Sequence, residues 1–451
     1  MRGQLFHRPA EAAELLIRSA HVLDPRSGID GAHDLLIRQG HIAELGAPGM
    51  LSVPDAGEVI EAAGKHAFPA FVDPHVHLRT PGQEYKETIA TGSAAAAAGG
   101  FCAVVAMPNT SPVLDDASVL GSLTEMARRQ ARVPVGFVAA ITRDLAGEEL
   151  TEMAELRDAG ALGFTDDGRP LVSAGMLRKA LQYQRLCGGV LALHEEDPEL
   201  SAGGAMHEGA VSARLGLAGI PSVSESTMVA RDAALAAYEG GRVHFQHLSC
   251  GESVTALERA KRDGARVSAE VTPHHLTLTD EQVLTLDSRF KMNPPLRTET
   301  DRKALVDALR SGLIDCVATD HAPHAAHEKE VPFEQAPMGT TGLETAFSAL
   351  FTHLVVPGEL ELETLVERMT AGAEVLELPV PVIAPHQPAN VSLVDLDAAS
   401  QVGARGYISR SQNSCFHGQT LRGRVLLTVA AGTVAFRAPA LAETTAATAL
   451  R

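Results

Sequence analysis

No Cys-x-x-Cys pair occurs in the chain, and its five cysteines (Cys102, Cys187, Cys250, Cys316 and Cys415) are scattered and odd in number. This argues against a disulfide framework or a thiolate metal site and fits a reducing cytosol. Positive charge is also short. The 38 Lys and Arg face 56 Asp and Glu, a formal net charge of −18 with a pI near 5.5. Such a surface repels phosphate backbones and anionic lipid, so nucleic acid and membrane are poor partners. An anionic small molecule would need local cations or a metal to attract it. Long hydrophobic runs are missing, and none approaches the length that crosses a bilayer. The first residues carry acidic side chains where a signal peptide needs an apolar block, so a cytoplasmic location is expected.

The 451 residues, 45% apolar and 21% charged, can bury a large core and suggest one large domain with a smaller one. From about residue 68 to residue 375 one rhythm recurs: a short apolar run, a polar cluster, then a helix-type stretch. The strand-like runs are 67–72, 101–106, 135–141, 161–164, 190–193, 242–245, 266–271 and 314–318. Between them, stretches such as 85–98, 117–131 and 222–239 are rich in alanine and lack internal proline, which favours helix. Eight strands alternating with helices predict a closed (β/α)8 barrel of the TIM type, with reactive groups at the C-terminal strand ends. The flanks read as short alternating strands, 13–62 and 389–436, too poor in apolar faces to fold alone. One small β-sandwich built from both chain ends is the simplest solution. The expected division is 1–67 and 380–451 for the sandwich and 68–379 for the barrel. The stretch 439–450 is expected to fray.

Residues Asp73-Pro74-His75-Val76-His77-Leu78-Arg79 carry the most chemistry. On a strand, i and i+2 share a face, so His75 and His77 could present two imidazoles to one metal, with Arg79 beside them. The 19 histidines would supply about 0.8 such pairs by chance. The other strand ends decide the matter. They offer Asp166 and Asp167 in GFTDDG, His194 in HEED, His247 in HLS, and Asp320, His321 and His324 in TDHAPH. Alone, Asp-Asp-Gly is a turn, and His274-His275 reads as loop structure. Histidines and carboxylates closing five strands of one rim suit zinc or a similar divalent ion.

With these residues in hand, the chain resembles the amidohydrolase superfamily, and within it the bacterial type I dihydroorotases. The resemblance rests on DPHVHLRTPG (73–82), MPNTSPVLD (107–115), GFTDDG (163–168), HEED (194–197), HLS (247–249), TPHH (272–275), NPPLR (293–297), TDHAPH (319–324) and GTTGLE (339–344). It implies reversible, zinc-dependent closure of N-carbamoyl-L-aspartate to L-dihydroorotate in pyrimidine biosynthesis. It also implies two zinc ions per subunit, bridged by Asp167 and a hydroxide. His75, His77 and Asp320 would hold one ion, and His194 and His247 the other. Asp167 is preferred to Asp166 because the count keeps it in step with His75 and His194. Asp320 would move the proton, while His77, Arg79, Asn109, Asn293, His324, Met338 and Gly339 would bind substrate. Thr80 departs from the usual glutamate, with a minor effect expected. The resemblance further implies a homodimer and association with aspartate transcarbamoylase. A hydantoinase, dihydropyrimidinase or allantoinase on the same scaffold is the nearest rival, though its substrates lack the carboxylate that Arg79 would bind. A non-catalytic scaffold relative would be expected to lose metal ligands, and all six stand here.

Overall fold

The computed structural model describes residues 4–52, 57–439 and 441. Most of the stretch expected to fray, 439–450, lies outside them. Eight parallel strands alternate with helices. They are β1 (Phe71–Val76), β2 (Phe101–Ala106), β3 (Val135–Phe137), β4 (Gly163–Thr165), β5 (Val190–Leu193), β6 (Arg242–Phe245), β7 (Arg266–Val271) and β8 (Cys316–Val317). β1 to β3 form one parallel sheet and β4 to β8 another. Isolated parallel bridges, Ala139 to Phe164 and Val76 to His321, join the two sheets at both margins.

Strands such as β2 and β5 are buried on both faces, so they read as continuous apolar runs rather than alternations. The intervening helices start and stop where local chemistry dictates. Thr88 caps Ile89–Ala98 by accepting the Thr91 N–H, and Gly240, at φ 65°, ends Val223–Glu239 in the left-handed region. Phe71 lies fully buried, edge-on to Phe101 at 5.8 Å and stacked on Phe347 at 5.4 Å. Burying each such ring favours the fold by about 2–3 kcal/mol.

The chain ends meet in a second unit. Leu15–Asp24, Ile29–Arg38, His41–Gly46, Glu58–Glu61 and His66–Pro69 join Val391–Gln401, Thr420–Ala430 and Thr433–Arg437 in one eight-stranded, mostly antiparallel sheet. Its seam is the antiparallel pairing of His66–Pro69 with Val391–Gln401, in which Pro69 faces Val391. One apolar cluster draws on both ends, including Ile17, Ile37, Val391 and Leu427.

The structure corrects the first expected strand. The run 67–72 divides at Ala70: His66–Pro69 pairs in the terminal sheet, and the parallel strand is Phe71–Val76. His75 therefore lies within β1 and His77 just past its end. His274 and His275 sit on a short helix, Pro273–Thr277, where His275 is bound to Thr272 and to the Pro294 carbonyl.

Candidate active site

The C-terminal ends of the parallel strands gather the predicted residues around one cavity of about 340 Å³. His77, Arg79, Asn109, Asp167, His194, His247, Asn293, Asp320, His324, Met338 and Gly339 all line it. His75 is fully buried beside them. Among the described residues, three sets of ligand-type atoms lie close enough to share an ion: His75, His77 and Asp320; His75, Asp167 and His247; and, within strands β6 to β8, His244, Glu270 and Cys316.

Strand register explains most of this convergence. Thr165 pairs with Ala192, so Asp167 and His194, each two residues on, share the inner face. Asp166 points elsewhere, accepting from the Ile141 and Thr142 N–H groups and the Thr142 hydroxyl. Three site residues break the period. His244 on β6 and Gln246 just past it face inward, and His247 would face outward in a regular strand. Its φ of 34° turns it onto the cluster. Asp320 (φ 45°) and Arg79 (φ 54°) are also left-handed. The strand geometry expected to carry Arg79 to the rim ends at Val76, and a left-handed turn brings it there instead. Each such non-glycine residue costs about 1–3 kcal/mol, so the surrounding packing must over-determine it.

The distances define a tight polar cluster. His75 Nε2 lies 3.3 Å from Asp167 and 3.5 Å from Asp320, and it is buried with no hydrogen-bond partner among the described residues. His77 Nε2 lies 3.0 Å from Asp320 Oδ1 and 3.5 Å from Asp167 Oδ2. His194 Nδ1 and His247 Nε2 are 3.0 Å apart, and Asp167 Oδ1 is 3.9 and 3.7 Å from them. An orphaned imidazole nitrogen facing two carboxylates suits a divalent cation, which would replace the missing partner.

Electrostatics agree with that donor set. Burial pushes Asp320 up, but the His77 hydrogen bond and the neighbouring histidine charges outweigh it and hold the carboxylate well below its usual range. Asp167 is depressed in the same way, burial being outweighed chiefly by His75. Both stay ionised at neutral pH.

Several contributors were not anticipated. Glu270, on β7, binds His75 Nδ1 at 2.6 Å and His244 at 3.0 Å; burial notwithstanding, those partners bring its pKa down to about 2. A glutamate within a strand gives no sequence signal of facing inward. Glu196, in HEED, holds His194 Nε2 at 3.0 Å and accepts from Asn293 at 2.6 Å. Asn109 accepts from His77 Nδ1 at 2.9 Å and donates to Asp167 at 3.2 Å, leaving one amide hydrogen for a ligand. Arg79 donates through Nε to the Pro323 carbonyl; among the described residues its two terminal nitrogens have no protein partner. His324 Nε2 is held by the Met338 carbonyl at 2.8 Å. Thr80, buried beside the rim, has a hydroxyl with no partner among the described residues and does not line the cavity.

Solved structures share this architecture. An L-hydantoinase (dihydropyrimidinase) from Arthrobacter aurescens superposes with a TM-score of 0.82 at 26% identity, over 94% of this chain and 96% of that one. A dihydropyrimidinase from Brevibacillus agri gives 0.80 at 23% identity, over 94% and 95%. The α/β fold with its terminal β-sheet unit, and histidines and carboxylates at the parallel strand ends, is that of the amidohydrolases, a superfamily of metal-dependent hydrolases.

A family model described as Dihydro-orotase-like matches residues 64–253. A dihydroorotase of Pelotomaculum thermopropionicum is 46% identical over 423 residues, 93% of this chain and 98% of its own. One from Lactococcus lactis is 41% identical over 425 residues, 94% and 99%. The chain belongs to the dihydroorotase family. Among the described residues no helix is long and apolar enough to cross a membrane.

Proposed function

We propose that the chain is a dihydroorotase, interconverting N-carbamoyl-L-aspartate and L-dihydroorotate with zinc, as a cytoplasmic step of pyrimidine biosynthesis. The observation that carries the reading is Arg79, whose terminal guanidinium nitrogens have no partner among the described residues and lie beside the histidine and aspartate cluster. A planar guanidinium grips a carboxylate through paired hydrogen bonds. Dihydroorotate carries that carboxylate; neutral cyclic amides do not. The spare Asn109 hydrogen, His324 and the Met338–Gly339 backbone would complete the grip, and Asn293 would face the ring.

His75, His77 and Asp320 would hold one zinc, His194 and His247 a second, with Asp167 between them. Zinc there would supply Lewis acidity and activate water at neutral pH. The protein's own work is positional. Asn109 and Glu270 occupy Nδ1 of His77 and His75, leaving both Nε2 atoms directed at the carboxylates. Asp320, ionised and bonded through Oδ1 to His77, can take a proton on Oδ2 and deliver it to the leaving ring nitrogen. In the synthetic direction it takes the proton from the carbamoyl nitrogen.

The same reading includes a closed (β/α)8 barrel over about 68–379, supported by the bridges at both sheet margins. A sandwich-like unit would comprise 1–67 and 380–451, with His66–Pro69 at the boundary. It also includes a homodimer and association with aspartate transcarbamoylase, both readable by size-exclusion chromatography with light scattering. The activity test compares turnover of dihydroorotate with that of hydantoin and allantoin by the zinc-replete chain. Preference for a neutral ring would overturn it. Fewer than one zinc per chain after metal-replete preparation would favour a non-catalytic scaffold.

A further inference from the structure

The terminal unit does more than cover the barrel. Between its strands Val391–Gln401 and Thr420–Ala430, the segment 408–416 reaches the rim of the cavity. Asn413, 4% exposed, is one of its buried polar residues. The His324 N–H donates to Asn413 Oδ1 at 3.1 Å, and Asn413 Nδ2 donates to the carbonyls of Ala322 and Gly339, each at 3.1 Å. Thr340 Oγ1 donates to the Asn413 carbonyl at 3.1 Å and accepts the Cys415 N–H at 2.9 Å. One side chain thus ties the loop after β8 to the 337–342 loop, and every donor and acceptor on its amide is used.

We propose that Asn413 is a positioning residue for the substrate pocket, through which the terminal unit sets the separation of His324 and Gly339. The proposal rests on the reading that these two residues grip the substrate carboxylate. The space between them is already tight. Gly339 has φ 135°, and a Cβ there would stand 2.8 Å from the Ala322 Cβ and 3.0 Å from His324 Nε2. A small shift of either loop therefore changes the grip. Only a side chain with two donors and one acceptor in this geometry satisfies both carbonyls and the amide. Aspartate has nearly the same shape but would set a carboxylate against two carbonyls and leave neither with a donor.

The test uses the full, zinc-replete chain with Asn413→Asp, Asn413→Ala and, as control, Ser411→Ala. Ser411 belongs to the same segment, but among the described residues its hydroxyl bonds only the Lys86 carbonyl. Both Asn413 variants should speed hydrogen exchange in peptides covering 320–326 and 336–342. They should raise KM for dihydroorotate by about ten- to hundredfold, with kcat within about threefold and zinc content unchanged. Ser411→Ala should lower Tm without moving KM. Unchanged exchange in those two peptides, or an unchanged KM beside normal turnover, would overturn the proposal. So would loss of soluble chain in both Asn413 variants with Ser411→Ala soluble, since that marks a structural role alone. If the unsubstituted chain turns over no dihydroorotate, the activity reading fails and the exchange result decides this one.

Discussion

Glu270 Oε1 lies 2.6 Å from His75 Nδ1, and its other oxygen receives His244 Nε2 at 3.0 Å. Two strands thus back a single imidazole from below, and His244 is in turn fixed by Ser268 at 2.8 Å. A carboxylate behind a ligating histidine fixes its tautomer and raises its basicity. Glu270→Gln should therefore weaken zinc binding by about 10–100-fold. Chelator competition reads the affinity directly, and an unchanged dissociation constant would remove Glu270 from the metal site.

Arg79→Met should strip the carboxylate grip while leaving the histidine cluster whole. Steady-state kinetics should show KM for dihydroorotate rising on the order of 10²-fold, because a charge-assisted bidentate contact is lost. Zinc content should stay at the unsubstituted level. Loss of zinc instead would reassign Arg79 to holding the loop through the Pro323 carbonyl.

On the proposed mechanism, Asp320→Asn keeps shape and one ligand oxygen but removes the proton acceptor. Turnover should fall by on the order of 10²–10⁴, with zinc largely retained. Near-normal rates in both directions would refute proton transfer at this carboxylate.

Acid sensitivity should report Glu87. This fully buried glutamate receives His321 at 3.2 Å and the Ser409 hydroxyl at 2.5 Å, and Thr91 also donates to it. Burial raises its pKa, but those hydrogen bonds and the His321 charge win, holding it below the ordinary 4.5. The unfolded chain therefore takes up this proton first as pH falls. The stabilising contribution is complete above about 4.5 and is lost as pH drops toward the folded value. Urea midpoints between pH 6 and pH 3 should fall more steeply for the unsubstituted chain than for Glu87→Gln. Parallel slopes would assign acid sensitivity elsewhere.

Much of this arrangement was legible in the sequence where chemistry and periodicity coincide. His75, His77, His194 and Asp167 follow the inward face of their strands, so counting by two finds them. His247, Asp320 and Arg79 are brought in by left-handed backbone, which no periodicity encodes; residue type and place after an apolar run signal the first two, while the count by two reaches Arg79 for a reason the backbone does not share. The split at Ala70 was hidden because both strands it separates are buried on both faces, leaving one unbroken apolar run. Glu270 and Asn413 were missed for a different reason. Their partners lie on other strands and loops far along the chain, and nothing local distinguishes either from an ordinary polar residue.

The pairing of Pro69 with Val391 also bears on how the chain is made. Synthesis runs from the N-terminus, so the strands up to His66–Pro69 leave the ribosome long before their neighbours exist. Until Val391–Gln401 arrives, the edge of His66–Pro69 stands open, a row of unpaired backbone groups able to recruit a foreign strand. A ribosome that stalls within the barrel would release a chain whose first sheet can never be completed, marked for aggregation or for the proteases that clear it.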